Sequence, residues 1–445
     1  MMHIPHELPA SITKLSDGTI KQRNPFSGTE VWTVPGRANR PLKINTPPAF
    51  PIDPDNIEDV CAFCPQRVLE TPPEKSRIVG NPTNGNYTIT DNAPVDALAD
   101  TWNFRRVSNL FEIVPLAYWQ ANYGYVMPTR KNDAMERYIA DPAGRAHVLG
   151  VAQGKALASG ISEEKWATIS EHEKIKSCAT FFGGGHDLIL GRRHYSSEAT
   201  TTTDLAGSGT LTPNEHFWYF ALTAHAMEDL YLQNRYVTYV QVFQNWLKPA
   251  GASFDHLHKQ LVSIDERTVN NRYETEQLRR NPNLFNEYGV DYASKNNLII
   301  AENPYAVAYA GFGHRYPTLE VWSKSAANQP FQHSEKELRG VSDLVHAMHV
   351  ATGVDVPCNE EWYAGARGMD MASPWRVLIK WRVSTLAGFE GGTKIYVNTI
   401  DPWSLRDRIV PKLLELRAEG KIASMNIATE CACELNSLRY LQREY

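Results

Sequence analysis

In the stretch GASFDHLHKQLVSI (251–264), His256, His258 and Gln260 stand at every second position after a glycine turn. Alternate side chains of a β-strand share a face, so two imidazoles and an amide would point into one pocket. A neutral imidazole attacks phosphorus well near pH 7, because its pKa lies close to ambient and it needs no strong base. Such an attack also needs donors aimed at the phosphate oxygens as charge builds. The Gly251 amide, the Ser253 hydroxyl and the Gln260 amide are of that kind, and Asn245 closes the preceding segment. His258 is therefore the candidate nucleophile, and the rival reading is a set of polar residues on an exposed strand face.

Cys61-Ala62-Phe63-Cys64 spaces two thiolates for one tetrahedral zinc, which then needs two further nitrogen or sulfur ligands. A redox pair and two plain buried cysteines are the alternatives, although no helix opens there in a βαβ pattern. His256 and one histidine of GGGHDLILGRRHY, either His186 or His194, would complete a metal site. Arg37 and Arg40, three apart after a Pro-Gly turn, could clamp a phosphate or simply be solvated. Cys431-Ala432-Cys433 reads as two packed thiols.

These residues need elements to hold them. Thr212-Pro213-Asn214-Glu215 supplies an N-cap, a proline at the first helical position and a capping-box glutamate, followed by apolar residues at helical spacing. RYVTYVQVFQN then reads as a buried strand, and the histidine strand follows the Gly/Pro turn. The first sixty residues suggest strands and loops, and TWNFRRVSNLFEIVPLAYWQANYGYVM (100–126) suggests sheet. Residues 128–180 are Ala- and Glu-rich at helical spacing and read as a helical insertion, and 196–209 as a loop. Farther on, NNLIIAENPYAVAYAGF suggests two strands, SEKELRGVSDLVHAMHVATG a capped helix, WRVLIKWRVSTLAGFEGGTKIYVN two strands around glycines, and DPWSLRDRIVPKLLELRAEG a final helix.

A chain of 445 residues is expected to form two domains. With 42% apolar and 21% charged residues it has an ordinary globular composition. Its net charge of −5 gives no reason to expect a nucleic-acid partner. No apolar run reaches the roughly 18 residues that span a bilayer, and the N-terminus lacks a signal-peptide pattern. Six unevenly spaced cysteines do not make a disulfide framework. The expectation is a cytoplasmic protein with no membrane partner.

Taken together, the motifs resemble the transferase branch of the histidine-triad superfamily, which contains galactose-1-phosphate uridylyltransferase and ADP-glucose phosphorylase. His-Leu-His-Lys-Gln-Leu-Val fits its His-x-His-x-Gln signature. NPFSGTEVWTVPGRANRPL is similar to its N-terminal strand pair, CAFCPQRVLETPPE to its C-x-x-C-P element, and WNFRRVSNLFEIV to its strand ending in an Asn-hydrophobic-aromatic step. GHDLILGRRHY resembles the segment that delivers a third metal ligand, VQVFQNWLKPAGASFDHLHKQLV the strand, turn and catalytic strand together, and GFEGGTKIYVN a late glycine segment. The matches run in family order from about residue 24 to 400.

The resemblance implies an α+β fold of two histidine-triad-like domains, 1–265 carrying the site and the 128–180 insertion, and 266–445. It implies one mainly structural Zn2+ on Cys61, Cys64, His194 and His256. His258 would take a nucleoside monophosphate from a nucleotide sugar and pass it to a sugar 1-phosphate or inorganic phosphate, as in a hexose-1-phosphate uridylyltransferase. Gln260 would hold the phosphoryl group, and Asn245 and Ser253 would contact phosphates. Asn109 would lie in the nucleotide pocket, and Arg37 and Arg40 would meet the sugar phosphate across a homodimer. The late strand Trp375–Ile379 lacks histidines, so a second metal site is not expected. Two alternatives stand beside this: a dinucleoside polyphosphate hydrolase or phosphorylase, and a zinc-stabilised nucleotide-binding protein without catalysis. Gln260 favours transfer, because an amide cannot protonate a leaving group as an imidazolium can.

Overall fold

The structure is a computed structural model that describes residues 10–37 and 48–442. Three short strands open it, β1 (Ile12–Lys14), β2 (Ile20–Arg23) and β3 (Glu30–Thr33), paired antiparallel in that order. The chain then separates into two compact units, one spanning residues 47–244 and 253–266, the other 245–252, 267 onward and the N-terminal stretch.

The unit that carries the histidine strand is built on β4 (Glu74–Gly80), β5 (Tyr87–Asp91), β6 (Phe104–Ser108), β7 (His186–Gly191), β8 (Tyr239–Trp246) and β9 (His258–Ile264). They form an antiparallel sheet in the order β8-β9-β7-β6-β4-β5. Between β6 and β7 lie α1 (Leu116–Tyr123), α2 (Thr129–Ala140), α3 (Pro142–Ala158), α4 (Glu163–Thr168), α5 (Glu171–Ser177) and α6 (Ala179–Gly183). The last five are the expected helical block, and they close a small core of their own around Tyr138, Val148, Val151, Cys178 and Phe181. The stretch 100–126 is a correction, since β6 ends at Ser108 and Pro115 starts helix α1 instead of more sheet. The aromatic residues that suggested a strand serve that helix, where Trp119 is buried.

Helix α7 (Pro213–Gln233) begins as its sequence requires, with the Thr212 side chain accepting from the Glu215 N–H and Glu215 returning to the Thr212 N–H. Phe217, Trp218, Tyr219 and Phe220 on it are buried, and the helix packs on β4, β6, β7 and β9. On that side of the sheet runs a buried ion network. Lys75 Nζ meets Asp187 at 2.6 Å, Arg106 meets Asp187 and Asp229 at 2.7 and 2.8 Å, and Lys131 Nζ meets Asp229 at 2.7 Å. It links β4, β6, β7, α2 and α7, so the strand ahead of His194 cannot slide.

The other unit adds α8 (Val269–Arg280), α9 (Asp291–Lys295), β10 (Ile299–Glu302), β11 (Ala306–Ala310), β12 (Thr318–Ser323), α10 (Glu335–Thr352), β13 (Cys358–Tyr363), β14 (Arg376–Trp381), α11 (Gly388–Thr393), β15 (Ile395–Val397), α12 (Pro402–Ala418) and β16 (Asn426–Ile427). Its antiparallel sheet runs β16-β10-β11-β12-β14-β13. The order of strands, helix and hairpin in β10, β11, β12, α10, β13 and β14 repeats that of β4, β6, β7, α7, β8 and β9. In the place of the histidine strand stands β14, whose buried Arg376 pairs with Glu274 and lies over the rings of Phe285 and Trp322.

Two further expectations change here. β3 pairs in parallel with β15, so the N-terminal strands belong to the unit formed by the later half of the chain and not to a 1–265 domain. The glycine segment GFEGGT forms the short helix α11 ahead of β15. Cys431 and Cys433 pack against an apolar core, as two packed thiols should. Among the described residues no helix is long and apolar enough to cross a membrane.

Candidate active site and metal centre

Cys61 and Cys64 sit at the entry to a 3₁₀ helix, Pro65–Glu70, where the Cys64 N–H donates to the Cys61 carbonyl at 2.9 Å. His194 follows β7, and His256 immediately precedes β9. The four ligand atoms converge: Sγ to Sγ 3.8 Å, Nδ1 to Nδ1 3.3 Å, and the four Sγ to Nδ1 distances 3.5, 3.5, 3.7 and 3.9 Å. Six near-equal edges describe a tetrahedron able to hold one metal ion. His256 donates from Nε2 to the Gly191 carbonyl at 2.6 Å, which leaves its Nδ1 lone pair for the centre. The hydrogen bond between the two sulfurs holds the Cys64 thiol low and pushes Cys61 up, with His194 and His256 also lowering Cys64. Without a cation only one of the pair is readily a thiolate, and a metal would hold both. His194, not His186, is the third ligand atom of this cluster.

Pairing across the sheet sets the face on which His258 lies. Leu190 lies opposite His258, Leu188 opposite Gln260, and His186 opposite Val262. His258 donates from Nδ1 to the carbonyl of His256 at 2.7 Å, so the ring keeps its lone pair on Nε2. Among the described residues no hydrogen bond occupies that nitrogen. Burial lowers the pKa of His258, with the His256 carbonyl pulling the other way, and the ring is neutral at pH 7. Phe63, inside the C-x-x-C loop, covers this place, with its ring centroid 5.6 Å from that of His258 and 4.5 Å from that of Phe254. The C-x-x-C loop and His258 are thus in contact through one aromatic ring, a relation that spacing along the chain does not announce.

Gln260 and Asn109 both lie beside His186. The His186 Nε2 lies 3.0 Å from Gln260 Oε1 and 3.1 Å from Asn109 Nδ2, while its Nδ1 accepts from the Ile113 N–H at 3.2 Å. The sequence offered His186 only as a rival metal ligand, and its link to Gln260 becomes visible through the pairing of β7 with β9. Ser253 is exposed on the turn before the strand, beyond Gly251, whose φ of +91° is the left-handed geometry that glycine adopts readily. Asn245 is the penultimate residue of β8, its Oδ1 accepting from Asn359 Nδ2 at 2.7 Å. Arg40 and the side chain of Arg37 lie outside the described residues.

His147 joins the helical block to the segment that follows the C-x-x-C pair. His147 of α3 accepts from the Tyr138 hydroxyl at Nδ1, 2.7 Å, and donates from Nε2 to the Thr71 carbonyl, 2.8 Å. Thr71 caps the 3₁₀ helix that follows Cys64.

Comparison with known proteins follows the geometry. ADP-glucose phosphorylase of Arabidopsis thaliana is 27% identical over 184 residues, 38% of this chain and 51% of that protein. The chain thus spans about half the length of the curated relative it matches. The crystal structure of an ADP-glucose phosphorylase from Arabidopsis thaliana with bound ADP-glucose aligns with a TM-score of 0.55 at 18% identity, over 88% of this chain and 98% of that one. A GalT-like protein of Arabidopsis thaliana aligns with a TM-score of 0.55 at 17% identity and the same coverage. These likenesses establish the shared α+β fold expected from the motifs. A family model described as "Domain of unknown function (DUF4921)" matches residues 15–440, and the protein belongs to that family.

Proposed function

We propose that this protein is a nucleotidyltransferase of nucleotide sugars that works through a covalent nucleotidyl-His258. The observation that carries the reading is the hydrogen bond from His258 Nδ1 to the His256 carbonyl, 2.7 Å, on a ring whose other nitrogen is left to attack. In the first half-reaction Nε2 forms a bond to the α-phosphorus of a nucleoside-diphosphate sugar. The bond from that phosphorus to the bridging oxygen breaks, and sugar 1-phosphate leaves. The ring becomes positively charged, and its Nδ1–H bond to the His256 carbonyl strengthens as that charge develops. In the second half-reaction a sugar 1-phosphate or inorganic phosphate attacks the same phosphorus and releases neutral His258. Gln260 supplies a donor to the phosphoryl oxygens, Asn109 belongs to the nucleotide pocket, and Asn245 and Ser253 contact phosphates. Arg37 and Arg40 meet the sugar phosphate, from a second subunit if the protein works as a homodimer.

The metal in this reading is one zinc ion, held by Cys61, Cys64, His194 and His256. Bonds of about 2.3 Å to sulfur and 2.0–2.1 Å to nitrogen at tetrahedral angles require edges of about 3.8, 3.5 and 3.3 Å for S–S, S–N and N–N pairs. The corresponding separations are 3.8, 3.5–3.9 and 3.3 Å. Four protein ligands leave no open position, which suits a structural ion that fixes the start of β9.

Intact-protein mass after mixing with UDP-glucose, ADP-glucose and GDP-mannose separately tests the reading. One donor should add a single nucleoside monophosphate, and His258→Ala should add none. An adduct that persists in His258→Ala, or none with any donor, would overturn it.

A further inference from the structure

His186 is 2% exposed, and both of its ring nitrogens have defined neighbours. A backbone N–H can only donate, so the Ile113 N–H at 3.2 Å requires a lone pair on Nδ1, and the neutral ring carries its proton on Nε2. Two amides lie within reach of that proton, Gln260 Oε1 at 3.0 Å and Asn109 Nδ2 at 3.1 Å. Asn109 cannot turn its oxygen inward, because that oxygen already accepts from the Phe111 N–H at 2.9 Å. An amide nitrogen does not accept, so the His186 proton goes to Gln260. Burial lowers the His186 pKa, with the Gln260 contact opposing it, which keeps the ring in this neutral form.

We infer that His186 is a positioning residue for Gln260: it holds the amide oxygen inward and leaves the amide NH2 as the end that donates to a phosphoryl oxygen at His258. An inverted amide would set NH2 against the Nε2–H of the buried His186 ring and leave that N–H without its acceptor. The chain of fixed orientations runs from the Ile113 backbone through His186 to Gln260, two positions along β9 from the nucleophile on the same strand face. The functional half of this inference rests on the transfer reaction proposed above, whereas the orientation itself does not.

Two measurements test it on the full-length, metal-loaded protein. Long-range proton–nitrogen NMR should show His186 with its proton on Nε2 and a bare Nδ1. The Gln260 side-chain amide signals, assigned by their disappearance in Gln260→Ala, should shift in His186→Leu. Single-turnover adduct formation is then followed with the donor that labels the wild type. His186→Leu should slow it about 10- to 100-fold at saturating donor. His186→Gln, whose amide nitrogen can take the place of Nε2, should recover most of that rate. In a Gln260→Ala background His186→Leu should cost almost nothing further, as coupled residues require. Equal metal content and circular dichroism would show that the variants are folded. A proton on Nδ1, unmoved Gln260 signals, or the same loss with and without Gln260 would overturn the inference. If the wild type forms no adduct, the transfer reading fails while the NMR measurements still decide the orientation.

Discussion

Asp187 shows how one residue holds the sheet of the histidine strand in register from the side away from His258. It is fully buried between Lys75 and Arg106, and its neighbour His186 points to the opposite face by strand alternation. Burial alone would raise its pKa, but the Arg106 and Lys75 charges outweigh that and hold the carboxyl below its ordinary value. Asp187→Ala removes the counter-charge and leaves Lys75 buried beside the Gly184 carbonyl at 2.9 Å. Breaking a buried pair in this way costs about 3–5 kcal/mol. Urea unfolding of Asp187→Ala should show a loss of that order, and a change below about 1 kcal/mol would mean that the network is not an energetic anchor.

At the scale of elements, the Cys/His cluster brings together three segments that are far apart in the chain, and a metal held there would fasten them: the C-x-x-C loop, the segment after β7 and the lead into β9. His147 adds a fourth by tying α3 to Thr71. Withdrawing the ion should therefore loosen the start of β9 and, with it, the hydrogen bond that orients His258. Cys64→Ser, or prolonged chelation of the wild type, should lower the melting temperature by several degrees and abolish nucleotidyl adduct formation although His258 is intact. Zinc added back should restore both in the chelated wild type and neither in Cys64→Ser. Full adduct formation in a metal-free protein would show that the cluster does not position the nucleophile.

For the whole molecule the pH dependence follows from two kinds of buried group. Burial holds the pKa of His147, His186 and His333 below the usual value, so these rings stay neutral in the folded protein. The unfolded chain takes up protons near the ordinary histidine value of about 6.5, so their contribution is complete above that pH and is lost as pH falls below it. Asp187 and Asp229 are also held low, Asp229 by Arg106, Lys131 and Arg130 against the effect of burial. Their contribution is present above the unfolded carboxylate value of about 3.9 and is lost only as pH falls through it. Unfolding free energy should thus decline in two stages, one beginning near pH 6.5, which Asp343, pushed up to about 6 by burial, offsets in part, and one near pH 4. The same first stage should appear in Cys64→Ser, where loss of metal cannot cause it. A flat profile from pH 7 to 5 in that variant would contradict the assignment.

Much of what matters was legible because it is local. The capping box at Thr212 and Glu215, the alternation of His258 and Gln260, and the C-x-x-C spacing are properties of a few consecutive residues, and helix and strand geometry turn such spacing directly into direction. The resemblance of the motifs placed His194 and His256 beside the cysteines, and all four ligand atoms do converge. What the tertiary structure alone decided is long-range. Strand pairing put His186 against Gln260 and drew β3 to β15, and burial turned the aromatic run after Ser108 into helix α1. Pairing and burial depend on which distant surfaces find one another, and no periodicity within a single segment records that choice.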